Sequence, residues 1–210
     1  MTHAIIFDCE YLTAPGAITR LWGGPFDPDP AVAQIGAVKL SLDTGFEILD
    51  EFQVLIASTD RFGKKVDLTP FFTELTGVDQ ATMDNDGETR GEALSRFERF
   101  AGEGTLWSWG KDELYLYGIS CYLAGIKPAL AASRFGNAIA LAFNAGVPLE
   151  DLQKTSSGQL ADYFGIKGEG RRHHDALDDA MSVALSLQFL LRNGKLQPAD
   201  FQLPVKTKSR

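Results

Sequence analysis

Apolar residues recur along this chain at two spacings. Residues 4–7 (AIIF) form a continuous, β-branched-rich run that ends in charge, the pattern of a buried central strand. Residues 34–42 (QIGAVKLSL) and 46–57 (FEILDEFQVLIA) flank the turn signal DTG at 43–45, which predicts a β-hairpin. Residues 105–109 read as a further short strand, and another is expected just before residue 138. Helical spacing marks 69–76, 87–101 (with Ala93, Leu94, Phe97 and Phe100 on one face), a stretch from Asp112, 138–145, 158–164 and, most regularly, 175–191. Residues 11–30 are rich in Gly and Pro and predict a long loop. A hairpin followed by strands alternating with helices implies an α/β fold, a mixed sheet with helices on both faces. With no internal repeat and no linker, the expectation is one domain over 1–195 and a polar, basic tail over 196–210.

Composition narrows the class. The 210 residues, 44% hydrophobic and 23% charged, suit one well-filled globular domain. No apolar run reaches the roughly 18 residues that span a bilayer, and no export signal is visible, so no membrane partner is expected. Cys9 and Cys121 are too few for a disulfide framework, and a reducing, cytoplasmic setting follows by default. The net charge of −8 argues against tight, unaided binding to long duplexes. Any nucleic-acid partner would then be a single strand, an overhang or a short oligomer. Lys111, Lys167, Arg171 and Arg172 lie near the acidic motifs and read either as a local phosphate track or as a solvated charged surface.

Acidic motifs carry the chemistry. In Asp8-Cys9-Glu10 the strand period places both carboxylates on one face, where they repel unless a cation lies between them. A frayed strand end with two surface acids is the bland alternative. The second motif, RRHHDALDDA at 171–180, opens the strongest helix. Its apolar stripe runs through Ala176, Ala180, Val183, Ala184 and Leu187, and Asp179 borders that stripe. An acid there is costly unless paired or metal-bound, which selects Asp179 as a ligand. Asp175 and Asp178 lie on the wetter side and suit the helix N-terminus. His174, just ahead of the helix, is a candidate general base, since an ordinary imidazole titrates near pH 6.5. His173 bears the same spacing to Asp178, but the face argument favours the pair His174 and Asp179. In the third motif, WSWGKDE, Asp112 follows a strand-ending Gly at a helix start; taken alone, it reads as an N-cap. Together these acids form a set able to hold two cations that clamp a phosphodiester for in-line attack by water.

The segments FDCE, QIGAV, ELTGV, SWGKDE and HHDALDDA occur in an order and spacing that resembles the DEDDh exonuclease family, over roughly residues 5–191. The resemblance implies an RNase H-like fold and metal-dependent 3′→5′ hydrolysis of RNA or DNA from the 3′ end, releasing 5′-mononucleotides. It implies two divalent cations, Mg²⁺ or Mn²⁺ in its place. Asp8 would bridge both, Glu10 and Asp179 would complete the first shell, and Asp112 would hold the second, partly through water. His174 matches the general base. Tyr11 matches the segment that meets the terminal 3′-hydroxyl, and Leu75 and Thr76 match the segment that wedges against the last bases. Relatives that are homodimers add that assembly to the expectations. The loop at 11–30 is longer than in the proofreading members, and Trp22 and Phe26 there either shape access or pack down. Paired His173 and His174 lean toward the RNA-trimming branch.

Two rivals are weighed against this reading. His174-Asp175 also spells the H-D step of all-helical metal phosphohydrolases, but those need further histidines, and only His3 remains. The other is a catalytically silent RNase H-like module that binds nucleic acid or a protein partner; the presence of every catalytic-type residue argues against decay.

Overall fold

The computed structural model describes residues 2–167 and 172–204. Five strands form one mixed sheet in the order β3-β2-β1-β4-β5. They are β1 (His3–Tyr11), β2 (Val32–Ser41), β3 (Ile48–Leu55), β4 (Thr105–Ser108) and β5 (Phe135–Asn137). β1, β2 and β3 pair antiparallel, while β4 and β5 run parallel to β1. The predicted hairpin is therefore present, turning through Gly45 at φ 101°. β1 is longer than its apolar run because pairing with β2 continues through Asp8↔Gly36 and Glu10↔Gln34.

Helices cover both faces: α1 (Pro70–Thr76), α2 (Gln80–Asp86), α3 (Arg90–Ala101), α4 (Asp112–Leu123), α5 (Ala138–Asn144), α6 (Leu149–Leu152), α7 (Leu160–Tyr163) and α8 (Ala176–Arg192). Strand alternation divides β1 between two cores. Ala4 and Ile6 join Ala180, Val183, Ala184 and Leu187 of α8 on one side. Ile5, Phe7 and Cys9 join Ala93, Leu94 and Phe97 of α3 and Leu116 and Tyr117 of α4 on the other. The fold class expected from the pattern, an α/β mixed sheet with helices on both faces, is the one observed. No helix among the described residues is long and apolar enough to cross a membrane.

Two elements escaped the pattern, α2 and α6, short helices of seven and four residues. The stretch expected to be tail also differs over 196–204. Leu196 and Phe201 are buried in the α8-side core, and the Phe201 ring meets Trp107 edge-on at 5.4 Å. Isolated apolar residues without a period give no pattern, yet two large side chains suffice to pin the strand-end region beneath them. Residues 205–210 of the expected tail lie outside the described residues. The loop after β1 packs down in part: Leu12 and Ala17 are buried, and Trp22 meets Tyr11 edge-on at 5.6 Å. Phe26, in contrast, is 94% exposed.

Candidate active site

The strand period carries Asp8 and Glu10 onto the α8 side of β1, in series with Ala4 and Ile6. Both are buried, at 7% exposure. Beside them in β2 stand Gly36 and Gln34, and Gln53 of β3 pairs with Gly36. Gly36 allows the start of α8 to lie directly on the sheet: a Cβ there would come within 2.1 Å of the Leu177 nitrogen. This contact delivers the first turn of α8 to the acids of β1.

α8 begins on Asp175, whose Oδ1 accepts from the backbone N–H groups of Leu177 (3.0 Å) and Asp178 (3.2 Å). Asp178 accepts from the Arg172 N–H at 2.7 Å. These two acids serve the helix start, as the face argument expected. Asp179 turns inward, 5% exposed; its Oδ2 accepts from the Ser157 hydroxyl at 3.2 Å, while its Oδ1 has no partner. Glu10, His174 and Asp179 each offer an atom within 4.8 Å of the others. His174 is solvent-exposed and holds a left-handed backbone, φ 61°. His173 also lies near Asp179, where both rest against Gly158; a Cβ there would lie 2.3 Å from Asp179 Oδ1 and 2.6 Å from His173 Nδ1.

α4 brings a residue that sequence reasoning missed. Asp112, its first residue, is exposed and curls back over Gly110, whose φ is 130°. The next residue, Glu113, is 5% exposed and its Oε2 has no hydrogen-bond partner. Glu113 and not Asp112 continues the buried stripe Leu116, Tyr117, Ser120 and Cys121. The face argument that selected Asp179 selects Glu113 when applied to α4, but a short strand–Gly–acid motif drew attention to the acid one residue earlier.

The charges are mutually unfavourable. Burial raises the Asp8 carboxyl well above its usual range, and the negative charges of Glu113, Asp179, Glu10 and Asp112 add to the effect. Burial, then Asp179, Asp175 and Glu113, push Glu10 to about 8. Burial and Asp112 push Glu113 to about 8. Burial also raises Asp179, opposed by His174 and Ser157. No lysine or arginine among the described residues forms an ion pair with any of these acids. Four converging carboxylates, two with an orphaned buried oxygen, match the all-oxygen donor set that hard divalent cations take. Asp8, Glu10, Glu113 and Asp179 are the residues able to hold them, with His174 at the exposed edge.

Of the residues expected to meet substrate, Tyr11 lies half-buried at a register shift after Glu10, and its hydroxyl is pushed to about 12 by burial and then by Asp112 and Glu10. Thr76 is buried; its hydroxyl donates to the Phe72 carbonyl and accepts from the Val78 N–H. It lines a cleft of about 410 Å³ together with Gln34, Gln53, Gly77, Arg172 and Asp175. Leu75 is half-buried in α1 beside it, outside the lining of that cleft. Lys111, Lys167 and Arg172 are exposed, and Arg171 lies outside the described residues.

No protein-family model matches the chain, and no curated protein matches its sequence. Solved structures do. The nuclease domain of 3′hExo, a DEDDh family member bound to rAMP, superposes over 98% of this chain and 97% of its own, with a TM-score of 0.74 and 21% identity. A 3′-exonuclease in specific recognition of the 3′ end of a histone mRNA stem-loop covers 91% of this chain and 82% of its own, at TM-score 0.71 and 21% identity. The zinc-bound complex of E. coli ExoI with ssDNA covers 96% of this chain and 42% of its own, at TM-score 0.66 and 15% identity. The fold of this chain is thus the RNase H-like fold found in DEDDh-family nucleases.

Proposed function

We propose that the chain is a metal-dependent 3′→5′ exonuclease that shortens single-stranded RNA or DNA from the 3′ end and releases 5′-mononucleotides. One observation carries the reading: four buried carboxylates from three separate elements converge, and among the described residues no lysine or arginine pairs with them. Such an arrangement is unfavourable in itself and is stabilised by divalent cations. The shared fold of nucleases bound to rAMP, mRNA or ssDNA supports the substrate class.

Asp8 and Glu10 of β1, Asp179 of α8 and Glu113 of α4 would hold two cations, Mg²⁺ or Mn²⁺, with Asp112 behind Glu113 at the exposed rim. When bound, the cations supply Lewis acidity toward the scissile phosphate and charge to offset the acids. His174, open to solvent, takes the proton of the attacking water. Glu10 and Asp179 lie beside it. Asp8, in the middle of the cluster, faces both halves of the site. In this reading the terminal nucleotide is assigned to Tyr11 and the Leu75–Thr76 step, of which Thr76 lines the cleft and Leu75 does not. The acidic site has no attraction of its own for phosphate, which makes activity strictly dependent on cations.

A 5′-labelled oligonucleotide tests this. With Mg²⁺ or Mn²⁺ a ladder shortening from the 3′ end is expected, with EDTA none, and a 3′-phosphate should block it. No metal-dependent shortening of either RNA or DNA would overturn the proposal, and unhindered cutting of the 3′-phosphate substrate would indicate an endonuclease. Parallel digestion of ssRNA, ssDNA, duplex and dinucleotide ranks the substrates.

A further inference from the structure

Asp175 receives more donors than a helix cap requires. An N-cap carboxylate needs one or two backbone N–H groups. Here the N–H groups of Leu177 and Asp178 are joined by the side-chain amide of Gln34, which donates to Oδ2 at 3.1 Å. The amide of Gln53 adds contacts of 3.0 Å to both oxygens. Gln34 also accepts from the Ala176 N–H at 3.1 Å, so its amide grips the start of α8 at two points. Gln34 is buried and pairs with Glu10 across the sheet; Gln53 sits on the next strand over, paired with Gly36. Two adjacent strands thus tie one carboxylate to the sheet, and Gly36 removes the side chain that would hold the helix off it.

The residue before this tether is His174, with φ 61°. A residue with a Cβ keeps that conformation only where its surroundings impose it. The imidazole of His174 is exposed, and its backbone is held by a hydrogen bond to the Asp179 carboxylate, one turn into the helix that Asp175 starts. Its chain neighbour, Asp175, is the point at which this turn is tied to the sheet.

We propose that Gln34 and Gln53 are positioning residues that act through Asp175 to hold His174 over Glu10 and Asp179. Neither glutamine touches the reacting atoms; each fixes the carboxylate that anchors the strained turn. The kinetic part of this inference rests on the exonuclease reading, and the geometric part does not.

The test is a double-mutant cycle with His174→Ala, using Gln34→Leu, Gln53→Ala and Asp175→Asn. Gln53 is exposed, so its truncation spares the core, and Asn caps a helix as well as Asp but cannot accept from both glutamines and the backbone at once. In the His174 background kcat is expected to fall about 10- to 100-fold with KM within about twofold. In the His174→Ala background the same changes should lower kcat by less than about threefold. Equal losses in both backgrounds would show that the glutamines act elsewhere and overturn the proposal. A second readout needs no turnover. Gln34→Leu should accelerate exchange of the Ala176 amide more than about tenfold, and all three variants should weaken nuclear Overhauser contacts between the His174 ring and Glu10. Unaltered contacts in all three would overturn the inference even if the wild-type chain cut nothing, whereas an inactive wild type with altered contacts would sink the exonuclease reading alone.

Discussion

α8 and α4 both begin at the edge of the sheet beside Asp8, and both begin with acids, yet the two starts are built differently. α8 has a cap, Asp175, anchored to two strands, and sends Asp179 inward one turn later. α4 follows Lys111, which makes no side-chain cap, and turns its second residue, Glu113, inward at once. In each helix one acid serves the wet side and another the buried side. Position relative to the apolar stripe separates them, and distance from the helix N-terminus does not. An acid on the stripe lacks water to solvate it, and so needs either a proton or a cation.

The largest effect expected from breaking this arrangement is at the strand both helices serve. Asp8→Asn should lower exonuclease activity on the order of 10³-fold, because it removes the carboxylate central to both halves of the site. The same change should raise the melting temperature of the metal-free protein at pH 8, since it relieves repulsion with Glu113, Asp179 and Glu10. Activity loss with a stability gain is the signature of a cluster built for cations. A loss of both would make Asp8 a structural residue. Within α4, Glu113→Gln should cost roughly 10²-fold and Asp112→Asn less than about tenfold. The reverse ranking in a steady-state assay would return the fourth carboxylate to Asp112.

Without cations the fold should weaken as the solution becomes more alkaline. Glu10 and Glu113 rise from an ordinary value of 4.5 to about 8. The folded state therefore keeps protons that the unfolded chain has released. Their stabilisation is full below about pH 4.5 and is lost as pH climbs through about 8. Thermal melts in EDTA should show Tm falling between about pH 5 and about pH 8.5. Mg²⁺ or Mn²⁺ at about 100 times its Kd should restore about 2.7 kcal/mol, or roughly 5–10 °C, at the alkaline end. At pH 5 the protons compete and the rescue should shrink. A rescue independent of pH would mean that the cations bind somewhere other than this cluster.

Much of this was legible in the chain and some was not, for identifiable reasons. The strand period put Asp8 and Glu10 on one common face, and the stripe of α8 repeats over enough residues to declare its buried side, and with it Asp179. The polar end of β1 looked like a frayed terminus because its pairing partner, β2, is not visible from residues 4–7 alone. Glu113 hid behind Asp112 because the stripe of α4 starts on the acid itself. α6 is too short to show a period, and Phe201 reaches the core from a segment with none. The positive φ of His174 occurs without the Gly or Asn that would signal it, and the contacts of Asp175 beside it reach across more than a hundred residues of chain.

The smallest test of the comparison lies in how each inward acid is supported. Asp179 has one side-chain donor, Ser157, at 3.2 Å, and Glu113 has the Ser108 hydroxyl lowering its proton affinity. A hydrogen bond to a charged group stabilises it by about 1.5–3 kcal/mol, and a long one by less, near 1 kcal/mol. Ser157→Ala should therefore raise the Mg²⁺ concentration for half-maximal activity by about fivefold, since a proton then competes better for Asp179. At saturating Mg²⁺, kcat should be unchanged, because the carboxylate is still present and still in line with Glu10. The shift should shrink as pH rises and protons compete less, since burial holds the Asp179 carboxyl above its ordinary value. A fall in kcat that excess Mg²⁺ does not repair would show that Ser157 aims Asp179 instead of tuning its charge, which would make the start of α8 dependent on the turn before α7 as well as on the sheet.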